Sequence, residues 1–245
     1  MTRRALIIYC TDTDSGHLDG PAYDNANFRD YLTSNLGGDW RDNEILSLSN
    51  PTSQQVSRAV TQFLNGADYT FTVFSGHGYL NTNDNNRQYL ELADTDISIL
   101  SLRTRARRQS LIIDACRGYH TPAQAINKGF GDVYENFTGR DSTRQIFDNA
   151  VNRAESGWTI LYAASRNETA LDTGNGGAYL LSLLEIAEGW GESDIRYNIL
   201  PLNTSHSKAK VYLQNNFETI QVPSMNAEKR LTHFPFAVKF TNLQG

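Results

Sequence analysis

The sequence predicts an α/β protein with a mostly parallel six-stranded sheet flanked by helices on both faces. Short apolar runs, with the length of buried parallel strands, alternate along the chain with segments of helical spacing. Repeated strand–helix units of this kind build a parallel sheet that helices cover on both sides. The chain has 245 residues, 39% hydrophobic and 20% charged, which suits a globular protein with a sizeable core. No repeat or linker divides it, so we expect a single domain over residues 1–245.

The strands are predicted from apolar runs that end at turn residues. The third run is rich in β-branched and aromatic side chains, which strands favour. Residues 88–92 predict a separate, short hairpin arm. In chain order, the six strands are placed at residues 5–11, 44–48, 68–75, 110–114, 158–164 and 234–240.

The helices are predicted from apolar residues at helical spacing and from residues that start or stop a helix. Gly37 and Gly38 end the first helix, because glycine readily takes the left-handed conformation found there. Thr52 or Ser53 can cap the second helix, and Gly66 stops it. The predicted helices are residues 21–36, the segment between Thr52 and Gly66, and residues 96–108, 143–155, 177–188 and 206–217.

Composition and charge exclude several classes of function. The formal net charge is −5, whereas nucleic-acid binding needs a basic face. The one basic cluster, residues 103–109, is interpreted as the solvated face of a helix. No run approaches the roughly 20 apolar residues that span a bilayer, and the N-terminal run is too short for a signal peptide. Two cysteines do not make a disulfide framework, so we expect a cytoplasmic protein without nucleic-acid or membrane partners.

Two of the predicted strands end on a reactive side chain framed by glycine. The third strand runs into "SGHGY", which places His77 between Gly76 and Gly78, and the fourth runs into "DACRG", which presents Cys116. Ligands of parallel sheets bind beyond the carboxyl ends of the strands. If these two strands are neighbours, an imidazole lies within reach of a thiol, which is the arrangement for nucleophilic catalysis.

The chemistry of this pair follows from ordinary acid–base properties. A thiol with a pKa near ~8.5 is only slightly ionised at neutral pH, so His77 would be the base that takes the proton of Cys116. The backbone amides of Gly78 and Cys116 are candidates to hold a developing oxyanion. Cys10 lies on a buried strand without a glycine frame and is interpreted as structural. The other histidines lack that frame, although His120 is close enough in sequence to support Cys116.

The paired motifs resemble those of the caspase-fold cysteine peptidases, which comprise caspases, metacaspases and paracaspases. "SGHGY" and "DACRG" stand in the order of that superfamily, and the resemblance extends from "ALIIYC" to "FPFAVKF". It implies a single caspase-like α/β domain with Cys116 as nucleophile and His77 as general base. It also implies cleavage of peptide bonds through an acyl-enzyme intermediate, without a cofactor.

One position indicates which bond is cut. Animal caspases, which cut after Asp, carry Gln two residues before the nucleophile, whereas metacaspases and paracaspases carry Asp and cut after Arg or Lys. Asp114 stands at that position here. By the same resemblance, Asp24 and Asp172 complete an acidic substrate pocket, with Glu168 as the alternative to Asp172 and a helix-capping role as the alternative for Asp24. Carboxylates compensate the desolvation of a substrate Arg and repel a substrate Asp.

Residues 119–141 lose periodicity and predict a long loop, rich in Gly, Asn, Asp and Thr. In the family that it resembles, the segment after the nucleophile often holds activation cleavage sites. Self-cleavage after Lys128, Arg140 or Arg144 is therefore one hypothesis, and a plain surface loop is the other.

Residues 81–87, "NTNDNNR", carry oxygen atoms of the kind that calcium binds, and metacaspases often need calcium. The segment does not match a complete calcium loop, and a hairpin turn explains its Asn and Asp residues better. Paracaspases, which resemble the chain more closely at "GHGY", do not require calcium. We expect no metal.

Three functions compete. An Arg/Lys-directed cysteine endopeptidase is favoured over an Asp-specific caspase-type protease, because of Asp114 and because "TDTDSGHLDG" lacks the Arg that caspases use to hold Asp. A non-proteolytic caspase-fold scaffold would not need both His77 and Cys116. Expected partners are a protein or peptide substrate with Arg or Lys before the scissile bond, and a separate activator or sensor protein. A role in a microbial death or defence pathway rests on the resemblance alone.

Overall fold

A computed structural model of the chain describes residues 1–118 and 140–240, without the side chains of residues 140–142. We number the strands and helices of these ranges in chain order. The strands are β1 (Arg3–Tyr9), β2 (Asp12–Thr13), β3 (Gly16–His17), β4 (Ile45–Ser49), β5 (Tyr69–Ser75), β6 (Gly78–Asn81), β7 (Arg87–Glu91), β8 (Asp96–Ser98), β9 (Arg108–Asp114), β10 (Gly157–Tyr162), β11 (Ile199–Pro201), β12 (Ser224–Ala227) and β13 (Pro235–Val238). The helices are α1 (Gly20–Thr33), α2 (Ser53–Arg58), which continues into a π-helical turn (Ala59–Phe63), α3 (Arg140–Arg153), α4 (Ala178–Glu192) and α5 (Leu202–Asn216).

The central sheet has six strands in the order β12-β10-β9-β5-β1-β4, which confirms the predicted size. Neighbours are parallel except β12, which runs antiparallel to β10 at one edge. The prediction that residues 234–240 supply the last strand of this sheet is wrong, because β13 pairs with β11 in a separate two-stranded sheet. The sixth strand is β12, whose half-exposed "SMNA" sequence lacks the apolar run of a buried strand.

Both faces of the central sheet are buried. Along β1, Ala5 and Ile7 belong to one apolar cluster, and Leu6 and Ile8 belong to the other, because successive side chains point to opposite faces. Side chains of α1, α3, α4 and α5 complete the first cluster. The second is completed by α2 with its π-helical turn and by the small sheet β6-β7-β8. Helices cover both faces, as predicted, but most of them lie on one.

The predicted helix over residues 96–108 is wrong. The chain forms the short strand β8, a 3₁₀ turn at Ile99–Leu102, and then an extended loop that leads into β9. Gln109, which is 5% exposed, holds this loop: its Oε1 accepts from the Thr104 amide at 2.9 Å, and its Nε2 donates to the carbonyl oxygens of Thr104 and Ala106. A buried side chain thus satisfies backbone groups that a helix would have paired internally. The basic cluster lies in this loop and at the start of β9 rather than on a helix.

The other predicted helices are present, with ends displaced by a few residues. The hairpin arm is also confirmed, as β7, and its turn contains Asn85 and Asn86 in the left-handed conformation. The hairpin β2–β3 was not predicted, because two-residue strands leave no periodic pattern. Within the described ranges, no helix has the length and apolar character needed to cross a membrane.

Candidate active site

Strands β5 and β9 are neighbours in the central sheet and end at the same level. Ser75, the last residue of β5, is paired in register with Asp114, the last residue of β9. The Gly76 amide donates to the Asp114 carbonyl oxygen at 3.1 Å, which continues the pairing beyond the strands. His77 and Cys116 each follow two residues after the paired ends. Since adjacent strands lie about 4.8 Å apart, the imidazole and the thiol start from neighbouring backbone positions at the carboxyl edge of the sheet.

Close contacts explain why glycine flanks His77. Gly76 has a φ of +155°, and a Cβ atom there would lie 3.0 Å from the Cβ of Cys10. A Cβ on Gly78 would lie 2.7 Å from the carbonyl oxygen of Tyr89. Any larger residue would therefore displace either β1 or β7 from the site.

The strand geometry also orients the Gly78 amide. In β6, the Leu80 amide donates to the Gly118 carbonyl oxygen at 3.4 Å, on the side away from β7. Amides two residues apart on a strand point to the same side, so the Gly78 amide faces the same segment as the Leu80 amide. That segment is the turn that carries Cys116, and the predicted oxyanion donor therefore lies on the correct side of β6.

Gln88 of β7 holds the backbone of the Cys116 turn. Gln88 is 3% exposed, its Nε2 donates to the Cys116 carbonyl oxygen at 2.8 Å, and its Oε1 accepts from Arg117 Nε at 2.9 Å. The Arg117 guanidinium lies 3.9 Å from the ring centroid of Tyr162 and donates to the Ala164 carbonyl oxygen. The turn is thus fixed from the hairpin on one side and from the end of β10 on the other.

The thiol of Cys116 is half-buried and directed at the carbonyl oxygen of Ala170, 3.8 Å away. Burial raises the pKa of this thiol above its usual value, and the charges of Asp114 and Glu91 raise it further. Such a thiol needs a base before it becomes a nucleophile. The Nε2 atom of His77 is buried and has no hydrogen-bond partner in the described part of the chain.

Asp24 and Asp114 are buried behind the two strand ends, at 1% and 5% exposure. Ser75, the register partner of Asp114, donates to Asp24 Oδ2 at 2.5 Å. The Gly177 amide donates to Asp24 Oδ1 at 2.9 Å, and the Leu180 amide donates to Asp114 Oδ2 at 3.3 Å. These amides belong to the N-terminus of α4, where free N–H groups and the helix dipole stabilise negative charge.

Asp172 approaches the same region from the loop after β10. Its Oδ1 accepts from the Gly174 amide at 2.8 Å, and its Oδ2 accepts from the Gly20 amide at 3.2 Å, at the start of α1. Ala170, two residues earlier, is the residue whose carbonyl oxygen faces the Cys116 thiol. The structure therefore brings all three predicted pocket residues to one side of the nucleophile.

Three glycines allow the carboxylates of Asp24, Asp114 and Asp172 to lie close to the backbone of α1 and of the α4 N-terminus. A Cβ on Gly20 would overlap the Asp172 carboxylate, and a Cβ on Gly177 would overlap that of Asp114. A Cβ on Gly176, where φ is +133°, would lie 2.7 Å from Asp24 Oδ1. Side chains at these positions would fill the space around the carboxylates.

The charge of Asp172 acts on both buried carboxylates. Burial raises the pKa of Asp24 to about 7, and the charge of Asp172 contributes in the same direction. Burial also raises the pKa of Asp114 well above its usual range, and the charges of Asp24 and Asp172 add to this. None of the ion pairs between described residues includes any of the three. A cluster of this kind favours a cation.

Glu168, the alternative to Asp172, has a different environment. Its Oε2 accepts from the amides of Ser165 and Val222, at 3.1 and 2.9 Å, so the carboxylate fastens two loops together. Its charge is absent from the groups that shift the pKa of Asp24 and Asp114, whereas that of Asp172 is present in both. The geometry favours Asp172 as the third acid of the cluster.

The remaining cysteine and histidines lie apart from this pair or outside the described residues. Cys10 is fully buried, and burial raises the pKa of its thiol to about 12. His17 is exposed between two aspartates, and His206 is buried against the Tyr179 hydroxyl at 2.6 Å. His120 falls outside the described residues.

Sequence reasoning missed Ser75, Gln88 and Glu91, which are polar residues buried around the pair. A signal existed for Ser75, because it ends an apolar strand two residues before His77 and therefore shares a sheet face with it. For the two hairpin residues no signal existed, since a polar residue in a short hairpin is usually solvated. Gln88 and Glu91 are buried only because the β6–β7 hairpin packs under the β2–β3 hairpin and against the turn that carries Cys116.

The fold, with a thiol and an imidazole just beyond the ends of two neighbouring strands, is of the kind expected for an α/β cysteine hydrolase. The family model of the caspase domain of peptidase family C14 matches residues 2–234, and the chain therefore belongs to this family. Among solved structures, the crystal structure of caspase-1 from Spodoptera frugiperda is similar, with a TM-score of 0.63 and 15% identity over 92% of this chain and 88% of that chain. No curated protein sequence matches the chain significantly. The chain is a cysteine-type endopeptidase with the caspase fold.

Proposed function

We propose that the protein cleaves peptide bonds after Arg or Lys through a dyad of Cys116 and His77. The observation that carries the specificity is the cluster of buried Asp24 and Asp114 with half-buried Asp172, which has no cationic partner among the described residues. Asp114 and Ala170 connect this cluster directly to the nucleophile, in sequence and through the thiol contact.

In the proposed mechanism, His77 takes the proton of the Cys116 thiol, and the resulting thiolate attacks the scissile carbonyl carbon. The amides of Gly78 and Cys116 hold the oxyanion of the tetrahedral intermediate, in which each donor typically contributes about 3 kcal/mol. The imidazolium then gives its proton to the leaving amine as the C–N bond breaks, which leaves an acyl-enzyme. Water, deprotonated by His77, hydrolyses the thioester and restores the thiol.

The substrate's basic side chain occupies the acidic cluster in this proposal. A guanidinium beside a carboxylate, at an effective dielectric constant of ~20, gains on the order of 4 kcal/mol before its desolvation is subtracted. Because burial raises the pKa of Asp24 to about 7, its carboxyl retains a proton part of the time near neutral pH, and the pKa of Asp114 is raised in the same direction. A bound cation would release these protons, and a substrate Asp would be repelled.

The test uses fluorogenic peptides that differ only in the residue before the scissile bond: Arg, Lys, citrulline and Asp. Citrulline is the matched probe, because it keeps the shape of arginine and lacks its charge. We expect cleavage after Arg and Lys, at least 100-fold selectivity for Arg over citrulline (about 2.7 kcal/mol or more, as a carboxylate–guanidinium pair provides), and no turnover by Cys116→Ala.

Variants of the cluster complete the test. Asp114→Asn keeps a hydrogen-bond acceptor for α4 and should abolish the preference of Arg over citrulline, whereas Glu168→Gln should retain it. Preferential cleavage after Asp would refute the pocket assignment. Absence of any cleavage under activating conditions would favour the scaffold alternative.

The same specificity would act on the chain itself. Lys128 and the rest of the segment around it lie outside the described residues, and Arg140 opens α3. Arg144 lies within α3 and donates to Glu44 Oε2 at 2.9 Å, so the folded helix protects the bond after Arg144. The proposed sites of self-cleavage are therefore the bonds after Lys128 and Arg140. Mass spectrometry of wild type and of Cys116→Ala, each incubated without substrate, tests this. An intact wild-type chain would reject it.

A further inference from the structure

Glu91 is a buried carboxylate next to the site that the mechanism above does not use. It is the last residue of β7 and is 7% exposed. Its Oε2 accepts from Thr13 Oγ1 at 2.8 Å, and its Oε1 accepts from Ser15 Oγ at 2.7 Å. Both hydroxyls belong to the hairpin β2–β3. Since an ionised carboxylate is purely an acceptor, two hydroxyl donors fix Glu91 in one orientation.

The strand register places Glu91 opposite His77. Gly78 pairs with Leu90 in the antiparallel ladder of β6 and β7, so the preceding residue of β6 faces the following residue of β7. The Glu91 amide donates to the His77 carbonyl oxygen at 3.1 Å, which confirms that the pairing extends to these two residues. Residues directly opposite on an antiparallel pair share one face, with Cβ atoms about 5 Å apart. The side chains of His77 and Glu91 therefore leave the strand pair on the same face.

The next pair along the same face supports this geometry. Tyr79 and Tyr89 are the register partners one step further on that face, and their rings stack with centroids 5.9 Å apart. His77 and Glu91 stand two residues from them on the same strands. The Nε2 atom of His77 is buried without a hydrogen-bond partner in the described part of the chain, and a buried polar atom in that state is costly unless the reaction gives it a partner.

We propose that Glu91 is a positioning residue of this peptidase: its carboxylate, held on the strand opposite His77, stabilises the imidazolium that forms when His77 takes the thiol proton. The inference rests on the proposed role of His77 as the base. The thiol proton of Cys116 moves to the imidazole, which gains a positive charge, and Glu91 exchanges no proton itself. The hairpin β2–β3 holds the carboxylate in place through Thr13 and Ser15.

A fixed negative charge here has two effects of known sign. It stabilises the positive charge that the imidazole gains during the reaction, and it disfavours the thiolate of Cys116. The charge of Glu91 is among the causes that raise the pKa of Cys116 and of Cys10. The other titratable groups near the pair come from every neighbouring element. They are Cys10 just after β1, Tyr79 of β6, Tyr89 of β7, Asp96 of β8, Asp114 of β9, and Asp12 and His17 of the β2–β3 hairpin.

The test compares wild type with Glu91→Gln, which keeps the side-chain shape and removes the charge. Alkylation of Cys116 by iodoacetamide, followed from pH 5 to pH 10, needs no substrate and so does not depend on which bond the enzyme cuts. Cys116→Ala defines the background from Cys10. We expect the alkylation profile to move to lower pH by about one unit in Glu91→Gln. Both limbs of the kcat/KM profile on the Arg peptide should move likewise, with kcat lowered about tenfold and KM little changed.

Two further variants separate positioning from anchoring. Glu91→Asp keeps the charge and should return both limbs to within a few tenths of a pH unit of wild type. The double variant Thr13→Val with Ser15→Ala frees the hairpin but keeps the carboxylate, so its rates should fall without a shift of the limbs. Two results would overturn the proposal. One is a lower rate in Glu91→Gln without any shift of its pH profile. The other is a pH profile of Glu91→Asp that shifts as far as that of Glu91→Gln. Failure of the peptide assay alone would reject the Arg/Lys specificity and leave the alkylation result to decide on Glu91.

Discussion

Replacing Asp24 by Asn should make the folded protein less sensitive to pH. Asp24 is buried at 1% exposure, and burial raises its pKa from an ordinary value of 3.8 to about 7. A carboxyl whose pKa is higher in the folded state takes up a proton on folding. Its stabilising contribution is complete below the unfolded pKa and is lost as the pH rises through the folded pKa.

The magnitude follows from the size of this shift. At 1.36 kcal/mol per pKa unit, the full effect is roughly 4 kcal/mol, of which about 3 kcal/mol falls between pH 5 and pH 8. Asp114 acts in the same direction, because its pKa is also raised. His206 opposes both, since burial lowers its pKa to about 4, but it is present in wild type and variant and cancels in the comparison.

Urea unfolding at pH 5, 6, 7 and 8, followed by tryptophan fluorescence, measures the free energy of unfolding. Wild type should lose stability across this range, and Asp24→Asn should lose about 3 kcal/mol less. Asp94→Asn is the control, because Asp94 is a surface carboxylate with a lowered pKa and should leave the slope above pH 5 unchanged. Equal slopes in wild type and Asp24→Asn would refute the idea that the cluster holds unpaired acids. A peptide aldehyde ending in arginine should stabilise wild type more at pH 8 than at pH 5.

Two other substitutions test the support of the site. Gln88→Leu removes the hydrogen bonds to the Cys116 carbonyl oxygen and to the Arg117 guanidinium, and should cost about 2 kcal/mol of unfolding free energy and most of kcat. The control is Gln109→Leu, at the far end of β9. It should cost similar stability in urea unfolding and leave kcat near wild type. The new methyl group of Gly177→Ala would overlap the Asp114 carboxylate, so this variant should have a thermal midpoint lower by several degrees and should cleave Arg peptides poorly. The control is Gly189→Ala on the same helix. Its methyl group would lie in open space and should raise the midpoint slightly. A Gly177→Ala variant as stable and active as wild type would mean that α4 does not enclose the cluster.

Much of the fold was predictable because it rests on local pattern. Buried parallel strands need near-continuous apolar runs, and β1, β5, β9 and β10 all show them. Edge strand β12 and the segment after β8 were not predictable, because their structure depends on partners far away in sequence. β12 pairs with β10, and the loop before β9 is held by one buried glutamine.

The candidate site divides in the same way. His77 and Cys116 were recognisable from the sequence because each follows the end of a strand, and parallel strands deliver their ends to one edge of the sheet; Asp114 was singled out by the family resemblance. The sequence by itself determined these reactive groups and their order along the chain. Only the tertiary structure favours Asp172 over Glu168 as the third acid, because the charge of Asp172 reaches Asp24 and Asp114 and that of Glu168 does not. It also placed Glu91 opposite His77 in the strand register, since register is fixed by pairing across the hairpin and not by the residues on either strand alone.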